Sequence, residues 1–238
     1  LVSRLQRVCR RARYSPHPVV TAPWGLTLGG GAEVAMQCSA TRASGELYMG
    51  LVEAGVGVIP GGGGCAEMLQ RYLGDIPQTC DFDPNPLVQQ AYRNIAMAQV
   101  ATSAEEAREM RYLRVDDTLC LDPDALIHEA RRLARSLVDG GYTPPVKRAV
   151  KLPGNSGRAA IEAFLYQMKE GGYASEHDVV VGKQLARVMT GGDVPNNTWV
   201  EEEAILELER EAFLSLCGEA KTLERIQHML NTGKPLRN

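Results

Sequence analysis

Apolar positions recur along the chain with helical spacing in most stretches and as short continuous runs in a few. Leu1, Leu5, Val8 and Ala12 mark one face of a helix over 1–14, with Arg4, Arg7, Arg10, Arg11 and Arg13 mostly on the other faces. Ser15-Pro16-His17-Pro18 ends it. Val19 to Ala22 is a short β-branched run that suits a buried strand, followed by Gly29-Gly30-Gly31 and the helix-forming run Ala32 to Met36. Helices are further predicted over 65–73, closed by Gly74, and over 87–100, through Val88, Ala91, Ile95 and Ala98. Another starts at Ser103, an S-x-x-E cap with Glu106, and one runs over 123–138 behind Asp122, with a short strand at 118–121 between them. This alternation predicts an α/β architecture.

Pro144-Pro145 divides the chain into a core segment, 1–143, and a C-terminal region, 144–238, that reads as all-helical. Its helices are expected over 158–170, from Ser175 to Met189, over 201–216 (Ile205, Leu208, Ala212 and Leu216 on one face) and over 221–230. No internal repeat is visible.

Composition narrows the function classes. With 26 Lys and Arg against 29 Asp and Glu, the net charge of -3 argues against a nucleic-acid or membrane-surface partner held by bulk charge. The stretch from Val19 to Met36 is broken by Pro23, four glycines and Glu33, so it predicts no membrane span. Six scattered cysteines form no C-x-x-C pair and lie beside no histidine at zinc-ligand spacing; they predict free buried thiols, a reducing cytoplasmic setting and no metal site. His17, His177 and His228 have no neighbouring ligands and are read without a catalytic role.

The chemistry concentrates in residues 19–64. A strand, a glycine turn and a helix place free backbone N–H groups and a partial positive charge where a ligand can approach closely. Such a turn can hold an oxygen that becomes anionic during a reaction, although a bare triple glycine also reads as a tight turn without a ligand. Glu33 falls in the first turn of the following helix. Glu53 follows Tyr48-Met49-Gly50-Leu51-Val52, an apolar setting in which a carboxylate is expensive unless paired or used. Either two carboxylates divide acid and base roles at one oxyanion site, or Glu33 is a helix-start charge and Glu53 an ion-paired surface group. Neither Gly29-Gly30-Gly31 nor Gly61 to Gly64 completes a G-x-G-x-x-G dinucleotide fingerprint.

GLTLGGGAEVAM followed by MGLVEAGVGVIPGGGG resembles the paired signature of the crotonase, or enoyl-CoA hydratase/isomerase, superfamily. The resemblance implies a partial crotonase-like ββα spiral ahead of the helical region. It implies that Gly30 gives an oxyanion-hole N–H to an acyl-CoA thioester, that Glu33 and Glu53 are catalytic, and that Gly29, Pro60 and Gly61 bind substrate. Hydratases of the family use both glutamates, while many isomerases and hydrolases lack one. EREAFLSL and HMLNTGKPLRN resemble bacterial multifunctional β-oxidation proteins in which an NAD-dependent 3-hydroxyacyl-CoA dehydrogenase precedes the crotonase part.

By this resemblance the chain is N-terminally incomplete. The first strands and a second oxyanion N–H are expected upstream, and NAD would serve only an upstream dehydrogenase domain. Apolar surface on the early strands should stand exposed, and a homo-oligomer is expected. The functions that follow are an enoyl-CoA hydratase of fatty-acid β-oxidation, a Δ3,Δ2-enoyl-CoA isomerase, or a non-catalytic scaffold module of a multifunctional protein.

Overall fold

A computed structural model describes all residues, 1–238. After α1 (Val2–Arg13) come β1 (Val20–Thr21) and β2 (Leu26–Leu28), then α2 (Gly30–Met36), then β3 (Ala40–Ser44) and β4 (Tyr48–Gly50), then a 3₁₀ turn (Glu53–Val56) and α3 (Gly64–Leu73). Strand, strand, helix therefore occurs twice in succession. β1 pairs parallel with β3, Val20 opposite Ala40, and β2 pairs parallel with β4, Leu26 opposite Tyr48. Each new unit lies on the one before, the ββα spiral that the motif resemblance implied. β5 (Thr118–Cys120) extends the first sheet beside β3.

The strand that ends at Gly29 is β2, not the 19–22 run. Pro23 and Gly25, at φ +56°, bend the chain between β1 and β2 so that the two enter different sheets. β3 escapes the apolar-run criterion because Ala40-Thr41-Arg42-Ala43-Ser44 is half polar; its buried positions are small.

Downstream lie α4 (Asn85–Ala96), α5 (Ala104–Glu109), α6 (Leu126–Asp139), β6 (Val150–Leu152), α7 (Gly154–Glu170), α8 (Glu176–Met189), β7 (Thr198–Val200), α9 (Glu202–Cys217) and α10 (Ala220–Thr232). The region over 144–238 is mostly helical as expected, with two corrections to the all-helical reading, β6 and a second strand. Thr198–Val200 forms a strand antiparallel to β6, Val200 opposite Val150. Trp199 and Val200 supply the bulky and β-branched residues that a strand favours, and Gly191-Gly192, both at positive φ, turn the chain toward it. α6 begins at Leu126, four residues after Asp122, because Asp122 Oδ1 accepts from Asp124 N–H at 3.0 Å and holds a separate turn first.

One cluster of 37 buried apolar residues runs from Ala32 through the helices to Leu216. Each large aliphatic side chain so buried contributes on the order of 1.5–3 kcal/mol. α8 starts in a capping box: Ser175 Oγ accepts from Asp178 N–H, and Asp178 Oδ2 accepts from Ser175 N–H. Arg225 of α10, 1% exposed, donates to both Asp178 Oδ1 and Ser175 Oγ, tying the two helices together. Trp24, Leu26 and Tyr48 stand exposed along the β2–β4 sheet, in line with the expected apolar surface on the early strands. No helix is long and apolar enough to cross a membrane.

Candidate active site

The site lies where the two ββα units meet. Gly29 caps α2 at φ +55° and ψ -127°, a conformation that glycine tolerates and a side chain does not. Its N–H donates to Gly50 O at 2.9 Å, which fixes the cap to the end of β4. Glu33 N–H is the first of α2 to find a helical acceptor, Gly29 O at 3.0 Å, so the N–H groups of Gly30, Gly31 and Ala32 form the free end of the helix. A methyl group built on Gly30 or Gly31 would meet no atom within 4 Å. The space beside these two residues is open, as ligand approach requires.

Glu33 and Glu53 reach this region from two elements. Glu33, on α2, is 2% exposed, and its Oε1 accepts from Gly62 N–H and Gly64 N–H, both at 2.8 Å. Burial raises its pKa and the two N–H groups pull back. Glu53 opens the 3₁₀ turn after β4 and packs against the α2 cap: a methyl on Gly29 would stand 3.4 Å from Glu53 Oε1. Both Glu53 oxygens are shielded from solvent and neither has a hydrogen-bond partner. Burial, then the charge of Glu33, raises the Glu53 pKa to about 8. The N–H groups of Glu53 and Val52 lower it less, and neither is aligned for a hydrogen bond. The ion-pair alternative for Glu53 therefore fails, and Glu33 is more than a helix-start charge.

The other expected contacts sit in the loop that both glutamates border. Gly61 is covered by the Phe213 ring of α9, 2.8 Å from where a Cβ would be, and Pro60 Cβ lies 2.8 Å from the corresponding position on Gly64. Both residues are buried, so they shape the loop from inside. Ala54 and Gly55 of the 3₁₀ turn also line an apolar cavity of about 270 Å³ together with Tyr92, Phe164 and Leu185.

Sequence reading missed two groups that hold this frame. Glu209 of α9, fully buried, accepts from Gly63 N–H at 2.5 Å and Cys65 N–H at 2.9 Å. It lies four residues after Ile205 and three before Ala212, on the apolar stripe of its helix; that placement was the available signal. Thr222 of α10 donates to Gly57 O at 2.7 Å and bonds His177 Nε2 at 2.8 Å, which locks the end of the 3₁₀ turn. Of the α1 arginines that lie off its apolar face, Arg10 pairs with Glu203 and Arg13 with Glu67.

No family model matches the chain. Over all 238 residues it is 49% identical to the "Probable 3-hydroxyacyl-CoA dehydrogenase" of Bacillus subtilis (strain 168), of which it spans 30%. A 73-residue stretch, 31% of the chain and 23% of the relative, is 41% identical to the mitochondrial methylglutaconyl-CoA hydratase of Mus musculus. In fold, all of the chain superposes on 72% of an enoyl-CoA hydratase from Mycobacterium avium subsp. paratuberculosis K-10, with a TM-score of 0.59 and 16% identity. The chain is of crotonase type in fold, that of enoyl-CoA hydratase structures, and over its whole length it is similar in sequence to the Bacillus relative. It spans less than a third of the length of the curated relatives that it matches over most of its own length. This crotonase-type chain carries both glutamates of the paired motif on adjacent units of the spiral.

Proposed function

We propose that this crotonase-type chain is an enoyl-CoA hydratase module of fatty-acid β-oxidation. The observation that carries the reading is the contrast between the two glutamates. Glu33 accepts two backbone N–H bonds that favour its charged form, while Glu53 has none and holds its proton up to about pH 8. A carboxyl group steadied by two N–H donors and one left without any thus stand next to one open helix N-terminus, an asymmetry that suits the first to the role of base and the second to that of acid. Gly30 N–H receives the thioester oxygen as enolate charge develops, with a second donor from outside this chain. Glu33 takes a proton from water as its oxygen bonds to C3, and Glu53 delivers its proton to C2. The acyl chain runs along the apolar cavity behind Ala54 and Gly55, and Gly29, Pro60 and Gly61 hold the walls in place.

One observation favours the one-glutamate isomerase instead: Glu33 Oε1 is already committed to Gly62 and Gly64, so Glu53 alone could shuttle a proton. Full-length protein incubated with crotonyl-CoA should deplete the enoyl absorbance; no depletion sinks the hydratase reading. Glu33→Gln should abolish that activity, whereas an isomerase would keep most of its turnover on a 3-enoyl-CoA. The relative named as a 3-hydroxyacyl-CoA dehydrogenase supports a dehydrogenase domain in the same polypeptide as partner; binding of NAD there, a cytoplasmic location and a homo-oligomer are further parts of this proposal.

A further inference from the structure

The helical region reaches the glycine loop through a residue that the proposed chemistry does not use. Glu209 is buried with no basic group among its hydrogen-bond partners, which are Gly63 N–H, Cys65 N–H and, at 3.5 Å, Gln6 Nε2. Glu33 takes Gly62 N–H and Gly64 N–H. Four successive N–H groups, 62 to 65, are therefore shared alternately between a carboxylate on α2 and a carboxylate on α9. Both glutamates of this grip bear on Oε1 of Glu33: its two donors belong to a loop that Glu209 holds from behind. A buried carboxylate without a cation is costly, and two that sense each other's charge are costlier. An amide or apolar side chain on α9 would cost less if stability alone were served.

We propose that Glu209 is a positioning residue for the hydration reaction: by gripping alternate N–H groups of the 62–65 loop it keeps Glu33 Oε1 anchored and leaves Oε2 free for the substrate water. This rests on the hydratase reading. Burial and then the charge of Glu33 raise the pKa of Glu209, so the two carboxylates titrate as a pair. The other groups that face Glu209 are Cys65 from α3 and Cys9 and Gln6 from α1; Arg210 approaches only through Gln6 Oε1, at 3.3 Å, and Glu53 interacts by charge with Glu33 and Cys65. None of these is a cation in contact with the pair.

Glu209→Gln in the full-length protein should lower kcat on crotonyl-CoA by up to about 100-fold, the effect of misplacing a reacting group, with KM nearly unchanged. The acid limb of the kcat profile should move to lower pH, because one like charge leaves the side of Glu33. Glu209→Asp keeps the charge but shortens the reach, so it should lose part of kcat and keep the wild-type limb. Lower stability with an unmoved limb and unchanged turnover per folded molecule overturns the proposal. Carboxyl-carbon NMR of Glu33 supplies an arm that needs no turnover: in the wild type its titration should carry a step coupled to Glu209 besides the one shared with Glu53, and in Glu209→Gln that step should vanish and the midpoint fall to lower pH. A single independent step in the wild type overturns the proposal even where the variant does not fold. Loss of activity in the wild type itself counts against the hydratase reading and leaves the titration to decide the grip.

Discussion

Glu67 and Glu33 are buried alike, at 3% and 2% exposure, on neighbouring helices, yet their surroundings treat them in opposite ways. Glu67 of α3 accepts from Arg71 Nε at 2.9 Å, from Arg13 and from Arg114 Nη2 at 3.4 Å. Burial works against its ionisation, but the three guanidiniums outweigh it and its pKa falls below the usual carboxylate value. The same arginines continue outward: Arg71 and Arg114 both donate to Met36 O, which closes the C-terminus of α2 with positive charge. At the other end of α2, the carboxylates Glu33, Glu53 and Glu209 meet amide N–H groups or nothing, and all three pKa values rise. One end of α2 is neutralised for stability, while the other keeps uncompensated carboxylates at an open helix start. A fold that supplied three arginines to Glu67 had the means to pair Glu53; leaving it unpaired preserves a proton donor near neutral pH.

The largest expected break in this contrast is at the proton donor. Glu53→Gln in the full-length protein should lower turnover by roughly 10²–10⁴-fold, the range for general acid–base groups, measured as initial rates of enoyl consumption. The same change should raise thermal stability. Ionisation of Glu53 is disfavoured in the folded state, so wild-type stability is eroded as pH rises from its ordinary value of 4.5 to about 8. The melting-temperature gap between variant and wild type should widen across that window and level off above it; a gap independent of pH contradicts the assignment.

Glu67→Gln should do the reverse. It leaves Arg71, 4% exposed at the side chain, beside two other guanidiniums without their carboxylate. Removing one partner of a buried ion pair costs about 3–5 kcal/mol, read as the urea midpoint. Because its folded pKa is lowered, Glu67 contributes stability above its ordinary pKa that is lost as pH falls, and the variant should show a flatter acid limb of stability. Gly61→Ala is a smaller test of the loop. Its methyl would stand 2.8 Å from Phe213 Cδ2, an overpacking that costs about 1–3 kcal/mol, and Phe213→Leu in the same chain should restore part of it. Smallest is Thr222→Val, which removes the hydrogen bond to Gly57 O and should cost about 0.5–1.5 kcal/mol by calorimetry.

How far these features could be read in advance depended on how local their causes are. The α/β alternation and the helix start that carries Gly30 and Glu33 were legible because glycine turns and helix starts are written in adjacent residues. Ser175 announced α8 for the same reason. The spiral and the pairing of Glu33 with Glu53 came only with the resemblance of the two motifs. β3 was hidden because a strand between two others needs small or polar residues as often as apolar ones, and β7 because three residues make too short a pattern. The Glu67 cluster had no local signal: Arg13, Arg71 and Arg114 come from three separate segments. Glu209 is one of several acids on an amphipathic helix, and only its register with Ile205 and Ala212 sets it apart.

The bond from Gln6 Nε2 to Leu206 O joins positions 200 apart in sequence, and the grip of Glu209 on Gly63 spans 146. Contacts of such range carry a large loop-closure entropy before they give anything back. The 62–65 loop cannot take its final form until α9 has docked, so a chain emerging from a ribosome holds that loop unfinished until α9 has been made. In refolding experiments the recovery of activity should accordingly lag behind the recovery of helical signal, with the delay set by the docking of α9 and α10.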